Sequence, residues 1–134
     1  MRNKPFQEIP KSALRTPRLN DLKVRTKRFA LDIIQLVASL PKTTISQVIG
    51  KQLLRAGTSV GANYRAACRA RSTADFIAKM GIVEEEADES MYWMELLCEA
   101  DLLPKDKIHP LKCEAEELLA ITVSSIRTAR KGSR

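Results

Sequence analysis

A chain of 134 residues with 44% apolar and 29% charged side chains has the size and composition of one globular domain around a single core. Its formal net charge of +7 points to polyanion binding or charge-matched assembly. Three cysteines without a CxxC pair, no apolar run near the ~18 residues of a span, and a basic start lacking an apolar stretch argue against a disulfide framework, a membrane helix and a secretory leader. The expectation is a cytoplasmic protein.

The charge is segregated. Residues 1–28 hold nine Lys/Arg against two acids, and residues 33–74 hold six Lys/Arg and no acid. Residues 80–103 reverse this with eight Asp/Glu and no Lys/Arg, and the last eight residues add four more basic side chains.

Residues 1–20 read as a basic tail, because Pro5, Pro10 and Pro17 interrupt any helix and no apolar face forms. A helical domain is expected over residues 21–130, with a basic end over 131–134. Asn20 or Asp21 caps a first helix running to Leu40, where Pro41 stops it. Its apolar positions are Leu22, Phe29, Ile33, Leu36, Val37 and Leu40. A second helix is predicted from Thr44 or Ser46 to about Ala70, with Ile49, Leu53, Ala56, Val60, Tyr64 and Ala67 on one side. Ser72 caps a third, with Asp75 as an imperfect capping box, and Leu103-Pro104 marks its end. Phe76, Met80, Val83, Ala87, Met91, Met94 and Cys98 form its inner face. A fourth runs from Lys105 or Pro110 to Ala129, burying Leu111, Ala115, Leu118, Thr122, Ile126 and Ala129. Scarce glycine, no tight-hairpin dipeptide and four periodic segments joined by short turns predict an all-α, antiparallel up-down-up-down four-helix bundle.

Two features of these helices bear on assembly. Gly57 and Gly61 lie four apart among alanines, and each costs roughly 1 kcal/mol relative to alanine inside a helix. Close approach of another helix, with Gly57, Gly61 and Asn63 at the contact, offsets that cost. A phosphate cradle is the sharper alternative, but such cradles precede a helix rather than sit within one. On the third helix, Ile82, Trp93, Leu96 and Ala100 make a second apolar stripe beside the core face. It suits a self-association interface, unless the tail or first helix covers Trp93.

The outward side of the second helix carries Lys51, Arg55, Arg65 and Arg69, a ladder of roughly 27 Å at 1.5 Å per residue. Such a ladder can follow a phosphate backbone, with a steep dependence on salt. The alternatives are a merely solvated face, or a stripe meeting Glu85, Asp88, Glu95 and Glu99 of a neighbouring copy. With few aromatics at 4%, base-stacking readout is not expected.

No catalytic constellation emerges. A di-metal bundle site needs Glu-x-x-His on two helices, whereas His109 is the single histidine. His/Cys zinc clusters fail for the same reason, and no GxSxG turn supports a serine nucleophile. Neither a cofactor nor a metal is expected, and the protein reads as not an enzyme.

Three segments, SLPKT, QLLRAGTSVGANYRAA and RSTADFIAKMGIVEEEADESMYWMELL, resemble those of the four-helix 23S rRNA intervening-sequence proteins. The resemblance covers roughly residues 20–125. It implies a bacterial, cytoplasmic bundle assembling as a ring-like homopentamer, without established enzymatic activity. Some relatives are accessory proteins of diversity-generating retroelements, contacting a reverse transcriptase and nucleic acid. Ala66 stands where the family often carries glutamate. SSIRTARKG replaces a Gly-x-Trp tendency of the retroelement branch, placing this chain nearer the intervening-sequence branch. Together these readings predict a non-catalytic scaffold binding RNA or DNA electrostatically. The alternatives are a protein-interaction scaffold without nucleic acid and a reverse-transcriptase accessory subunit.

Overall fold

A computed structural model describes residues 19–132 as four helices: α1 (Leu19–Ala38), α2 (Thr44–Ala67), α3 (Thr73–Glu99) and α4 (Lys105–Gly132). The expected tail lies, apart from its last two residues, outside the described residues, as do residues 133 and 134. No strand occurs among the described residues, and no helix there is long and apolar enough to cross a membrane.

Each helix packs on its sequence neighbour, and α4 closes back on α1; the two diagonal pairs stand apart. Short connections enforce antiparallel neighbours, and cross-helix contacts give the register. Gly50 lies by Leu40 while Gly61 lies by Thr26, so α1 and α2 run in opposite directions. Arg55 reaches Glu86 across α2 and α3, and Lys112 reaches Glu95 across α4 and α3. Arg25 closes the ring. Its Nε and Nη2 donate to Glu114 at 3.0 and 2.7 Å, and Nη2 also reaches Glu117 at 3.0 Å. This bidentate fork holds the Arg25 guanidinium above its ordinary pKa, the hydrogen bond to Glu114 contributing most.

Helix ends differ from the sequence expectation for local reasons. α1 stops at Ala38 rather than Leu40: the Ser39 and Leu40 N–H groups bond the Leu36 and Val37 carbonyls at 3.1 Å, tightening the chain into an i→i−3 turn just before Pro41. α2 ends at Ala67 rather than Ala70, with Cys68 as C-cap. Thr43 caps α2 by accepting from the Ser46 N–H at 3.2 Å, and Ser72 caps α3 by accepting from the Asp75 N–H at 3.0 Å. Asp75 reaches back to the Arg71 N–H, one residue earlier than a capping box requires. α3 ends at Glu99, four residues before the expected Leu103. There Asp101 adopts φ 58°, the Asp101 N–H bonds the Cys98 carbonyl and the Leu102 N–H bonds that of Leu97. That is a Schellman cap with aspartate in the left-handed position. Pro110 lies inside α4, where it cannot donate to the Asp106 carbonyl; both residues are exposed, so water can serve that carbonyl.

The core is a single cluster fed by all four helices. Phe29 and Ile33 of α1, Leu53 and Val60 of α2, Met80, Met94 and Leu97 of α3, and Leu118 of α4 are almost wholly buried. Leu97, Ser90 and Ile108 join the interior beyond the residues expected, whereas Val37, Leu40, Ile49, Leu111 and Cys98 are only half-buried.

Small residues set the spacing of α1 and α2. A Cβ at Gly57 would stand 2.9 Å from both Cγ1 and Cγ2 of Ile33, and one at Gly61 would stand 3.2 Å from the Thr26 carbonyl oxygen. Gly50 extends the row, its added Cβ falling 2.7 Å from Leu40 Cδ1. Among the described residues Asn63 makes no hydrogen bond to α1; its Nδ2 donates to the Ser59 carbonyl of its own helix at 2.8 Å.

Candidate nucleic-acid interface

Arg55, Arg65, Arg69 and Lys51 all lie exposed, but they fall into three different environments. Arg55 is held within its own chain. Its Nη1 lies 3.2 Å from both Glu86 carboxylate oxygens, and its Nη2 bonds Glu89. The Glu89 carboxylate also accepts from the Trp93 indole N–H at 2.9 Å. The Trp93 hydrogen bond, followed by the bond from Arg55, holds Glu89 below the usual glutamate range. The Arg55 guanidinium is raised in turn, chiefly by its bond to Glu89. These contacts tie α2 to α3 and occupy two donor groups that the sequence reading offered to phosphates.

Arg65 and Arg69 point into a different setting. Tight packing at Gly61 brings α1 close enough that Lys23 and Lys27 line one wall of a groove and Arg65 and Arg69 the other. The groove encloses about 450 Å³, with Ala30, Gly61 and Ala62 among its small lining residues and no acidic side chain along it. None of these four cations has an ion-pair partner among the described residues. Lys51 lies apart from it, beside Lys42 in a separate depression at the α1–α2 turn.

Sequence reasoning missed Lys23 and Lys27. They are spaced i,i+4, so one helical face carries both, but their approach to Arg65 and Arg69 requires the α1–α2 contact, about forty residues away in sequence. The glycines supplied the signal that such a contact exists, without naming the partner helix.

The expected apolar stripe on α3 is only partly open. Ile82 is 40% exposed and Ala100 is exposed, whereas Trp93 and Leu96 are half-buried, with Trp93 packed against the core. Tyr92, exposed beside it, makes an edge-on ring contact at 5.0 Å. Larger apolar exposure lies elsewhere, at Val24 (69%), Leu31 and Ile34 on α1 and at Ile45 and Val48 on α2. At 100° per residue, Val24, Leu31 and Ile34 share the side of α1 opposite Phe29 and Ile33. The acidic side chains Glu85, Asp88 and Glu99 of α3 are exposed and unpaired among the described residues, while Glu95 pairs with Lys112 at 3.3 Å.

His109 lies within α4, one turn before Cys113, and both are exposed. Among the described residues no three His, Cys, Asp or Glu side chains gather as a metal site.

Residues 20–124 match the family model of the 23S rRNA-intervening sequence protein. The chain belongs to that family. Its fold is shared with a crystal structure of a protein of unknown function from the S23 ribosomal protein family of Bacteroides thetaiotaomicron. The two are 36% identical with a TM-score of 0.76, over 81% of this chain and 97% of that one. No curated protein matches the chain. Both walls of the α1–α2 groove fall inside the segment that defines 23S rRNA-intervening sequence proteins.

Proposed function

We propose that this family member is a non-catalytic, self-associating scaffold that binds nucleic-acid phosphates along the α1–α2 groove. The observation that carries the reading is the convergence of Lys23, Lys27, Arg65 and Arg69 on one acid-free groove. Unpaired cations are costly to hold together, since like charges repel, and a polyanion removes that cost while releasing its own counterions. Arg55 is left out of the binding set, because Glu86 and Glu89 already neutralise it. The groove offers no aromatic platform, so it reads the backbone rather than bases.

Four phosphate contacts give a salt slope of about −3.6 for a duplex or about −2.8 for a single strand. Affinity should therefore fall about 50- to 150-fold between 50 and 200 mM salt. Filter binding over that range, with the Arg65→Glu/Arg69→Glu variant alongside, measures both slope and site. Charge reversal at Lys51 should change the affinity much less. Salt-independent binding, or binding indifferent to the double reversal, overturns the assignment.

A second reading draws on the exposed, unpaired acids Glu85, Asp88 and Glu99 of α3. A basic α1–α2 face and an acidic α3 face on one protomer suit a head-to-tail contact, which closes into a ring when the rotation permits. The homopentamer implied by the family resemblance is such a ring. In that reading the same double reversal dissociates the assembly, and no nucleic-acid binding remains to be lost. A reverse-transcriptase partner belongs to this second reading.

A further inference from the structure

We propose, resting on the role of the α1–α2 groove as a phosphate site, that its preferred ligand is a linear triphosphate group, carried on the 5′ end of an RNA or present as a free chain. The four cations form a compact cluster. Thr26 packs on Gly61 between antiparallel helices, which sets Lys23 roughly abreast of Arg65. Lys27 then stands one turn to one side and Arg69 one turn to the other, so the cluster spans about 12 Å at 1.5 Å per residue. The cations stop at the Ala30 and Thr58 end of the groove. Beyond that end α1 exposes Leu31 and Ile34, and Arg55 of α2 is already neutralised by Glu86 and Glu89. Lys51, in its separate depression, lies ten residues before Gly61, about 15 Å further on. A long polyanion running on in that direction crosses a stretch without an unpaired cation, whereas a short, dense one engages all four charges.

Charge density favours condensed phosphate. Successive backbone phosphates are separated by a whole sugar, so a strand meets the cluster at one phosphate per cation. The phosphates of a triphosphate share bridging oxygens and carry about four negative charges at neutral pH, one on each inner phosphate and nearly two on the terminal one. Such a group offsets the four cations within two helical turns. The donors suit it as well. Arg65 and Arg69 present planar forks that grip two phosphate oxygens at once, and Lys23 and Lys27 act as point charges on the opposite wall. The hydroxyl donors of the groove are committed elsewhere: Thr26 donates to the Leu22 carbonyl and Thr58 to the Leu54 carbonyl, each at 2.7 Å. With no acidic side chain along the walls either, the groove recognises charge and not sugar or base. Its volume of about 450 Å³ lies in the range of small-molecule sites.

Two titrations of the full-length protein in magnesium-free buffer separate the sources of the ligand. Filter binding compares one short single-stranded RNA carrying either a 5′-triphosphate or a 5′-hydroxyl, and calorimetry compares inorganic tripolyphosphate with orthophosphate. The triphosphate end should tighten RNA binding at least about tenfold, the effect of one added charge-assisted contact. Tripolyphosphate should bind more tightly than orthophosphate by a similar factor. Lys23→Gln/Lys27→Gln and Arg65→Gln/Arg69→Gln should each remove both preferences with helical circular dichroism retained, whereas Lys51→Gln should keep them. Selective tripolyphosphate binding without discrimination between the two RNAs assigns the site to the free chain. Equal binding of both RNAs, with no preference for tripolyphosphate, overturns the triphosphate assignment and leaves the groove as a backbone site. Absence of binding by every probe removes the phosphate site itself. A preference that survives both double variants places the triphosphate elsewhere and also overturns the proposal.

Discussion

Gly57 and Gly81 are both helical glycines, yet a methyl group added at each would meet opposite surroundings. Nothing lies within 4 Å of a Cβ at position 81, so Gly81→Ala should gain about 1 kcal/mol of helix propensity unopposed. In thermal unfolding that corresponds to a rise of about 3–5 °C for a chain of this size. At position 57 the same gain is opposed by Ile33, a stiff β-branched side chain with no exposed surface. Overpacking of this kind costs about 1–3 kcal/mol, so Gly57→Ala should lower stability by up to about 2 kcal/mol. Gly61→Ala should also destabilise, because the backbone of Thr26 cannot rotate aside. Gly50→Ala should be close to neutral, since the obstructing atom is the end of the half-buried Leu40 side chain. Urea unfolding of the four variants checks the order 81, 50, then 57 and 61. If Gly57→Ala proves as stabilising as Gly81→Ala, the close approach of α1 and α2 is wrong. Asp101 shows the same physics in the backbone: aspartate tolerates the left-handed region better than bulkier residues, which allows a cap that glycine usually makes.

At the scale of the elements, α2 and α3 are joined by a chain of three side chains, Arg55, Glu89 and Trp93. Glu89 titrates below its ordinary value of 4.5, first because of the Trp93 hydrogen bond and then because of Arg55. A carboxyl group with a depressed folded pKa binds fewer protons in the native than in the unfolded state. Its contribution to stability is therefore complete above the ordinary glutamate range and disappears as pH falls through the lower folded value. Trp93, the single tryptophan, reports this directly. Its fluorescence should change with a midpoint below 4.5, the Arg55→Ala variant should move that midpoint upward, and Glu89→Gln should abolish the step. A midpoint at 4.5 or higher in the unmodified protein contradicts the linkage. These contacts also mark what was legible in the sequence. The four helices followed from apolar periodicity, because burial repeats every three to four residues along α2 and α3 alike. Helix ends were less legible: i→i−3 backbone bonds at Ser39 and Leu40 close α1 and the left-handed Asp101 closes α3, and no apolar pattern encodes either. Arg65 and Arg69 stood out as an acid-free run, but Lys23 and Lys27 joined them only through the packing of α1 on α2. Arg55 looked equivalent to Arg65 because its acidic partners lie 31 and 34 residues away.

For the whole molecule, the uneven distribution of exposed apolar surface says where the proposed self-association would bury area. A stable interface buries about 800 Å² per partner, with an apolar centre and a polar rim. On α3, Trp93 is committed to Glu89 and to the core, which leaves Ile82 and Tyr92 as the large exposed apolar groups of that helix. On α1, Val24, Leu31 and Ile34 stand exposed on one side, and Val24 also lines the basic groove. Leu31 and Ile34 do not line it, but Leu31 stands one turn from Lys27 on the same side of α1, so uncharged replacements are needed to test assembly without neutralising the groove. The Leu31→Gln/Ile34→Gln variant should shift the mass measured by light scattering toward the 15.0 kDa protomer, with helical circular dichroism retained. Ile82→Glu should leave the assembly mass unchanged. The reverse result, dissociation by Ile82→Glu alone, would move the interface to α3 beside the acidic side chains Glu85 and Asp88. The charge-matched head-to-tail contact would then explain the assembly better than apolar burial on α1. If the unmodified protein already has the mass of a single protomer at micromolar concentration, neither surface is an interface between copies.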